Sequence, residues 1–284
     1  MGDSPRKRRA GDVSSAISNI VDDMKGRSKK GVVTTGGMIV LALETVKAIF
    51  GDIVARKFSW TEFFFQAWFM IRVGLAPTIL VAIPFGVIVS VQIGAVAGQI
   101  GATSFAGAVN GVGVLRQGAP LVTSLMIAGA VGSAICADMG ARTIREEVDA
   151  LKVMGINPVN RLVAPRLAAA VFVALLLNVV VAIVAITTGF LMNVTTGAVS
   201  SGTYLGGFVA FAQPSDLLLA EFKAFLFGFI ATIVACHKGL AASGGAKGVA
   251  DAVNQAVVLS VIMLAIVNVA VTQAYVMLVP QNIA

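Results

Sequence analysis

The sequence predicts an all-α polytopic membrane protein, in which five transmembrane helices follow an amphipathic helix at the membrane interface. Three observations support this: 57% of the 284 residues are hydrophobic, only 12% are charged, and the mean hydropathy is +0.91. A soluble domain carries about 25% charged residues. So few charges cannot cover a water-facing surface of this size, which argues against a soluble enzyme, a disordered chain or a nucleic-acid-binding protein.

The basic residues are grouped rather than spread along the chain. Clusters lie at 6–9, 25–30 and 142–166, and Lys238 and Lys247 form a small fourth group. We interpret the RKRR cluster at 6–9 as a signal for a cytoplasmic location that is also attracted to anionic lipid headgroups, in preference to a nuclear-localisation signal or a nucleic-acid-binding patch. Residues 1–36 are therefore expected to form a basic cytoplasmic extension.

Residues 37–72 are expected to form interfacial or elbow helices. In 37–57, Glu44, Lys47 and Asp52 recur at helical spacing within an apolar stretch, which favours a helix lying in the interface; a sixth span is the alternative. Seven aromatic residues follow within 58–69, and aromatic rings prefer the headgroup level.

Residues 73–284 are expected to form a five-helix membrane domain. A bilayer core requires about 20 apolar residues per helix. Five stretches have this character: 73–97, 119–139, 162–192, 217–236 and 255–279. Small residues four apart, which permit close helix contact, occur at Gly94/Gly98, Gly107/Gly111 and Ala128/Gly132.

The charges of the loops predict the orientation of the chain. The 140–161 loop contains four Lys or Arg residues and the 237–254 loop contains Lys238 and Lys247, so both are placed in the cytoplasm with the N-terminus. The 98–118 loop contains only Arg116, the 193–216 loop contains no basic residue, and both are placed outside. The C-terminus is then extracytoplasmic, and we expect a multi-pass protein of the cytoplasmic (inner) membrane.

Glu221 and Lys223 lie near the outer end of the fourth predicted span. They are two residues apart, so they point to different faces and cannot pair on one helix. One hypothesis is that Lys223 lines a substrate path and meets a carboxylate or phosphate of the substrate; snorkelling, or pairing with another subunit, is the alternative. We treat both residues as substrate-path candidates. Asn178, Asn268 and Gln273 are expected to hydrogen-bond between helices.

The segment 137–166 is the polar island of the chain. Ile144, Val148 and Leu151 fall at i, i+4 and i+7 and form one apolar stripe. The i, i+4 pairs Arg142/Glu146 and Arg145/Asp149 are expected to form ion pairs. Glu146, Glu147 and Asp149 would form the exposed acidic edge. Asp138, which precedes this stripe, is expected to cap or to pair with an Arg.

This pattern predicts a short amphipathic helix at about 141–155. Gly155 is placed to end it, and Pro158 to prevent its renewal. The residues alone leave two interpretations open, a solvated connecting helix or a docking helix for a soluble partner.

No pattern in the sequence indicates catalysis or metal binding. His237 is the only His, and Cys136 and Cys236 are the only Cys residues, which leaves little for a metal site. The P-loop patterns GxxxxGKS and GxxxxGKT are absent, and SGGAKG at 243–248 has the wrong spacing. We therefore expect a non-catalytic chain without a cofactor of its own.

Several ungapped segments closely resemble the MlaE/YrbE permease family. They are PLVTSLMIAGAVGSA (120–134), ICADMGARTIREEVDALKVMGINPVNRLVAPR (135–166), EFKAFLFGFI (221–230) and CHKGLAASGGAKGVADAVNQAVVLS (236–260). The resemblance covers about 60–284 and leaves 1–36 unexplained. The wording CADMGARTIREE is most similar to the A-type YrbE subunits of actinobacterial Mce systems.

The resemblance implies a permease subunit of an MCE-associated ABC transporter that moves lipids, with import as the expected direction. The substrate could be a fatty acid, a mycolic acid, a sterol or a phospholipid. The alternative function is an ion-coupled secondary transporter of a hydrophobic substrate, which would need intramembrane acids and usually internal repeats. The implied partners are a cytoplasmic ATPase dimer that binds ATP and Mg²⁺, a sister YrbE-type permease (in a heterodimer, or a second copy in a homodimer) and MCE-domain proteins outside. In this family the helix at about 141–155 is the coupling helix, which contacts the ATPase. The positions here that match it are Arg142, Arg145, Glu146, Glu147, Asp149, Leu151 and Met154.

Overall fold

The computed structural model describes residues 34–56, 58–197 and 199–278, which divide into two compact units at 1–44 and 45–284. In the first unit, residues 34–44 are helical and expose the apolar side chains of Ile39, Val40 and Leu43. In the second, residues 45–54 are helical and expose Phe50, Ile53 and Val54. An interfacial helix would present such side chains to lipid, and that placement stays a prediction.

The rest of the second unit consists of helices joined by short connections, and the described residues contain no β-strand. The helices are α1 (Trp60–Gln99), α2 (Thr103–Ile144), α3 (Glu147–Val153), α4 (Val159–Thr195), α5 (Ser201–Phe211), α6 (Pro214–Leu240) and α7 (Gly245–Leu278). Five of them, α1, α2, α4, α6 and α7, are long and apolar enough to cross a membrane. The described chain therefore has the five spans and the all-α fold that the sequence predicts.

The connections on the predicted outer side differ from the sequence-based expectation. The loop expected at 98–118 is almost absent, since α2 already begins at Thr103. The loop expected at 193–216 contains α5. The reason is mutual packing: a Cβ on Gly107 would lie 2.1 Å from the Tyr204 carbonyl oxygen, and one on Gly111 would lie 2.1 Å from the Phe208 ring. The predicted small-residue contact is confirmed at this pair of glycines.

The core of the bundle is formed by α2, α4 and α6. At least 50% of the most apolar stretch of each of these three helices is buried, against 17% of the corresponding stretch in α1 and α7. α1 packs along α4, while α7 packs along α6 and α2. The aromatic segment does not form a separate helix, because α1 starts at Trp60 and includes most of it. The outer helices α1 and α7 thus keep large apolar faces available to lipid or to another subunit.

Candidate functional site

The polar island forms a tight turn and a short helix between α2 and α4. The single helix expected at 141–155 is interrupted: α2 ends at Ile144, and α3 begins at Glu147. Between them Glu146 has φ +61°, a left-handed conformation that non-glycine residues rarely adopt. The chain changes direction here, so α3 does not continue the axis of α2.

The other end of α3 follows the sequence-based expectation. Gly155 has φ +74°, its N–H donates to the Lys152 carbonyl (3.0 Å), and the Ile156 N–H donates to the Leu151 carbonyl (2.9 Å). This is the Schellman arrangement, which glycine permits at low cost. Pro158, however, does not delay the next helix. It occupies the N-cap position of the turn that starts α4, where its fixed φ is compatible with helix initiation.

The predicted pairs Arg142/Glu146 and Arg145/Asp149 do not form. Both arginines contact Glu147 instead, through Arg142 Nη1 to Glu147 Oε2 (3.4 Å) and Arg145 Nε to Glu147 Oε1 (2.8 Å). The turn at Glu146 explains the change, because residues four apart share a face only within one continuous helix. Asp149 pairs with Lys152 inside α3 at 2.8 Å.

A buried arginine joins this turn to the bundle. Arg166, in the first turns of α4, is 1% exposed, and its Nη2 donates to Asp138 Oδ2 of α2. Its Nη1 donates to the Leu162 carbonyl at 3.1 Å and contacts Met139 Sδ at 3.0 Å. Asp138 also accepts from Arg142 Nε at 3.2 Å, so the predicted Arg pairing of Asp138 is confirmed.

Together these contacts form one ion-pair chain, which runs Arg166–Asp138–Arg142–Glu147–Arg145. It leads from a buried position in α4, through the end of α2, to the exposed turn before α3. Sequence reasoning missed Arg166, which it counted only as a member of the basic cluster at 142–166. The chain is a physical connection by which a displacement of α3 reaches two long helices.

The outward surface of α3 combines charged and apolar side chains. Val148 is buried and Leu151 half-buried, whereas Ile144 of the predicted apolar stripe is exposed. Glu146, Asp149 and Lys152 are also exposed. Val153 is 89% exposed and Met154 is 64% exposed, so apolar side chains stand beside the charges. Such a mixed surface is better suited to contact with a soluble protein than to permanent exposure to water.

A second polar cluster lies within the bundle, around Lys223 of α6. Lys223 is fully buried, and its Nζ donates to the Arg116 carbonyl (2.8 Å) and to Gln117 Oε1 (3.4 Å). Arg116 lies in a π-helical turn, Val114–Gly118, and Pro120, which follows it, has no N–H to donate back into this turn, so one carbonyl of the turn lacks its backbone donor. Arg116 itself pairs through Nε with the buried Asp216 Oδ1 at 2.6 Å.

Glu221 is placed differently from Lys223, as the spacing predicts. It is half-buried and accepts from Asn178 Nδ2 at 2.8 Å, while Asn178 Oδ1 accepts from Thr123 at 3.2 Å. Asn268 Nδ2 donates to Gln117 Oε1 at 3.4 Å. The interhelical bonds expected of Asn178 and Asn268 are therefore confirmed, whereas Gln273 is exposed. That Glu221 or Lys223 contacts substrate stays a prediction, and for Lys223 the structure offers a role inside the protein.

Comparison with known proteins adds an independent observation. The family model described as Permease MlaE matches residues 63–274, which include α2 to α6 and most of α1 and α7. A probable ABC transporter permease protein of Synechocystis sp. is 32% identical over 183 residues, 64% of this chain and 70% of the relative. One from Rickettsia bellii is 34% identical over 160 residues, 56% of this chain and 62% of the relative.

A plant protein is also similar. The chloroplastic protein TRIGALACTOSYLDIACYLGLYCEROL 1 of Arabidopsis thaliana is 29% identical over 164 residues, 58% of this chain and 47% of the relative. The family match covers more than half of the chain and contains the turn at Glu146, the ion-pair chain and the polar cluster around Lys223. The chain therefore belongs to the MlaE permease family, as its motifs indicate.

Proposed function

We propose that this chain is the permease subunit of an MCE-associated ABC transporter that moves lipids, with import as the direction. Membership of a family whose relatives are named ABC transporter permeases implies an ATPase partner. The name of the Arabidopsis relative refers to a diacylglycerol lipid, which supports a lipid substrate. ATP and Mg²⁺ would be bound by the ATPase, and this chain would contribute no catalytic residue.

The observation that carries the proposal is the attachment of α3. Its outward surface is exposed, and its base is tied to α2 and α4 through the ion-pair chain. A partner that contacts Asp149 and Met154 would displace a helix that is attached to the bundle, rather than an unattached loop. Arg142, Arg145 and Glu147 would attach α3 to the bundle through their ion pairs. Leu151 would pack α3 against the bundle, and Glu146 would form the turn before it.

The energetics of lipid transfer require an apolar route through the transporter. A lipid with two sixteen-carbon chains carries about 30 methylenes, and exposing them to water would cost on the order of 24 kcal/mol. Val258, Ile262, Ile266 and Val269 form an exposed stripe at helical spacing along α7. Pairing with a sister YrbE-type permease, or with a second copy, would enclose such faces in an apolar route that opens towards MCE-domain proteins. We place the pair in the inner membrane, with the N-terminus cytoplasmic and the C-terminus outside.

The ion-coupled alternative receives less support. A carrier of this kind must bind and release its ion at an intramembrane acid. Asp216 is already paired with Arg116, and Glu221 accepts a hydrogen bond from Asn178. The relatives named as ABC transporter permeases also favour an ATP-driven mechanism.

The test uses the complex purified in mild detergent and reconstituted in vesicles. Co-purification of an ATPase, together with ATP hydrolysis stimulated by lipid, is expected of the wild type. Glu147→Arg would place a third cation beside Arg142 and Arg145. We therefore expect the stimulation of ATP hydrolysis by lipid to be lost while the complex still assembles. Asp251→Arg, a reversal at an exposed residue of α7, is the matched control. Unchanged hydrolysis and transport in Glu147→Arg would refute the coupling assignment.

A further inference from the structure

A small polar cleft lies beside the start of α4, apart from the ion-pair chain and the Lys223 cluster. The cleft has a volume of about 240 Å³, and its polar lining comprises Asp52, Ser59, Asn157, Asn160 and Arg161. The elements that meet here are the segment before α1, the connection after α3 and the first turn of α4. All of these residues belong to the second structural unit.

The cleft contains one acid and one base that are not paired with each other. Neither Asp52 nor Arg161 takes part in a salt bridge or a side-chain hydrogen bond with any described residue. Arg161 is exposed, and Asp52 is half-buried. Two opposite charges in one cleft, each without a partner among the described residues, match a ligand that carries both a cationic and an anionic group.

The remaining walls of the cleft are apolar, and its rim lies next to an aromatic belt. Phe58, Ile156 and Pro165 form those walls. Trp60, which directly follows the cleft residue Ser59, is 59% exposed, and Phe64 one turn later is 64% exposed. Exposed aromatic residues at the end of a membrane helix lie at headgroup depth. The cleft therefore opens where phospholipid headgroups are present at high local concentration.

We propose that this cleft binds the headgroup of a zwitterionic phospholipid of the phosphatidylethanolamine type. The guanidinium of Arg161 would donate to the phosphate, for which its planar fork is suited. The carboxylate of Asp52 would accept from the ammonium, and the amides of Asn157 and Asn160 would complete the polar contacts. The cleft is too small for acyl chains, which would remain in the bilayer beyond the apolar walls.

This site differs from the transport route in the proposed function. A lipid held here would be a bound component, located where Ile156 and Asn157 lead from α3 into α4. Asn157 also organises the backbone at this point, because its Oδ1 accepts from the Val159 N–H at 2.9 Å. The inference requires only that the chain lies in a phospholipid membrane, and it holds whichever lipid is transported.

The experiment measures binding of soluble short-chain lipids to the delipidated transporter complex. The probes are dihexanoyl phosphatidylethanolamine, dihexanoyl phosphatidylglycerol and inorganic phosphate. We expect the wild type to prefer the ethanolamine lipid and Asp52→Asn to abolish the preference, with a loss of about tenfold in affinity for that lipid. Arg161→Gln is expected to weaken both lipids by about tenfold or more, and Arg161→Lys to give an intermediate loss.

Asp251→Asn and Arg72→Gln serve as controls, since both residues are exposed and lie outside the cleft. Elution volume and unfolding temperature report whether each variant remains folded. The proposal would be overturned if the wild type bound the two lipids with equal affinity, or if Asp52→Asn bound them with the same affinities as the wild type. The same holds if inorganic phosphate binds as tightly as the lipid, which would make the cleft a simple anion site. Absence of binding of any of the three probes to the intact complex would also overturn it.

Discussion

Asp138 of α2 accepts hydrogen bonds from both Arg142, one turn further along the same helix, and Arg166 of α4. One carboxylate therefore serves a buried guanidinium on one side and the turn before α3 on the other. Removing it would leave Arg166 buried without its counter-charge, a situation that costs more than the pair itself contributes. The first prediction follows from this asymmetry.

Asp138→Ala is expected to lower the free energy of unfolding by about 1–3 kcal/mol, because the Arg166 guanidinium loses its only described acidic partner. The double variant Asp138→Ala with Arg166→Met should recover part of that loss, since an apolar side chain needs no counter-charge. Thermal unfolding of the purified protein measures both. A double variant that is less stable than the single one would contradict the assignment.

The left-handed residue Glu146 provides a second prediction. Such a conformation costs an L-residue about 1–2 kcal/mol, and a β-branched side chain is the least tolerant of it. Glu146→Gly should therefore fold with near-wild-type stability, since the relief of strain offsets the greater freedom of glycine in the unfolded chain. Glu146→Ile should lower the unfolding temperature. Equal unfolding temperatures for the two variants would show that the turn is not required.

The bond from Lys223 to the carbonyl of Arg116 can be tested through Pro120. Lys223→Met should cost about 1–3 kcal/mol, because a buried carbonyl loses its donor. Adding Pro120→Ala should restore part of the stability, since alanine supplies the N–H that the helix lacks at this point. Both changes are followed by thermal unfolding together with lipid transport.

The outcome for Lys223 distinguishes its two possible roles. Unchanged stability of Lys223→Met with a loss of transport would support the substrate path. Lower stability that Pro120→Ala repairs, with transport recovering in parallel, would support a role inside the protein.

Two glycines of α2 give a matched pair of substitutions. A Cβ on Gly107 would lie 2.1 Å from the Tyr204 carbonyl oxygen, whereas one on Gly113 would have no neighbour within 4 Å. Gly107→Ala is expected to cost about 1–3 kcal/mol through overpacking against α5. Gly113→Ala should be neutral or stabilising by up to about 1 kcal/mol, as alanine is the better helix former. Equal stability of the two variants would contradict the close packing of α2 and α5.

The sequence predicts the five spans well, because hydrophobic length alone distinguishes a membrane helix. It does not predict that α2 begins at Thr103. The segment that follows is rich in glycine and includes Arg116, whose partner Asp216 is 100 residues away. Hydropathy averaged over a window treats such a segment as a loop, since it registers the charge and not the neutralising contact.

At the candidate site, residue spacing predicts that a helix lies between α2 and α4 and that Gly155 ends it. The break at Glu146 could not be predicted, because glutamate favours helix and carries no signal for a left-handed turn. The partnership of Asp138 with Arg166 spans 28 residues and two helices, so no local periodicity reveals it. The i, i+4 rule failed at Arg142 and Arg145 because it assumes one continuous helix.

The central claim is that α3 contacts an external ATPase, and site-directed cross-linking tests it most directly. Cys136 and Cys236 are the only cysteines in the chain and both are buried, so a thiol introduced at the exposed Met154 would be the accessible one. We predict that Met154→Cys cross-links to the co-purified ATPase with an efficiency that changes with bound nucleotide, whereas Leu80→Cys, on the exposed face of α1, does not. An intact, active complex in which residue 154 never cross-links to the ATPase, or reacts only with reagents from the extracytoplasmic side, would contradict the account.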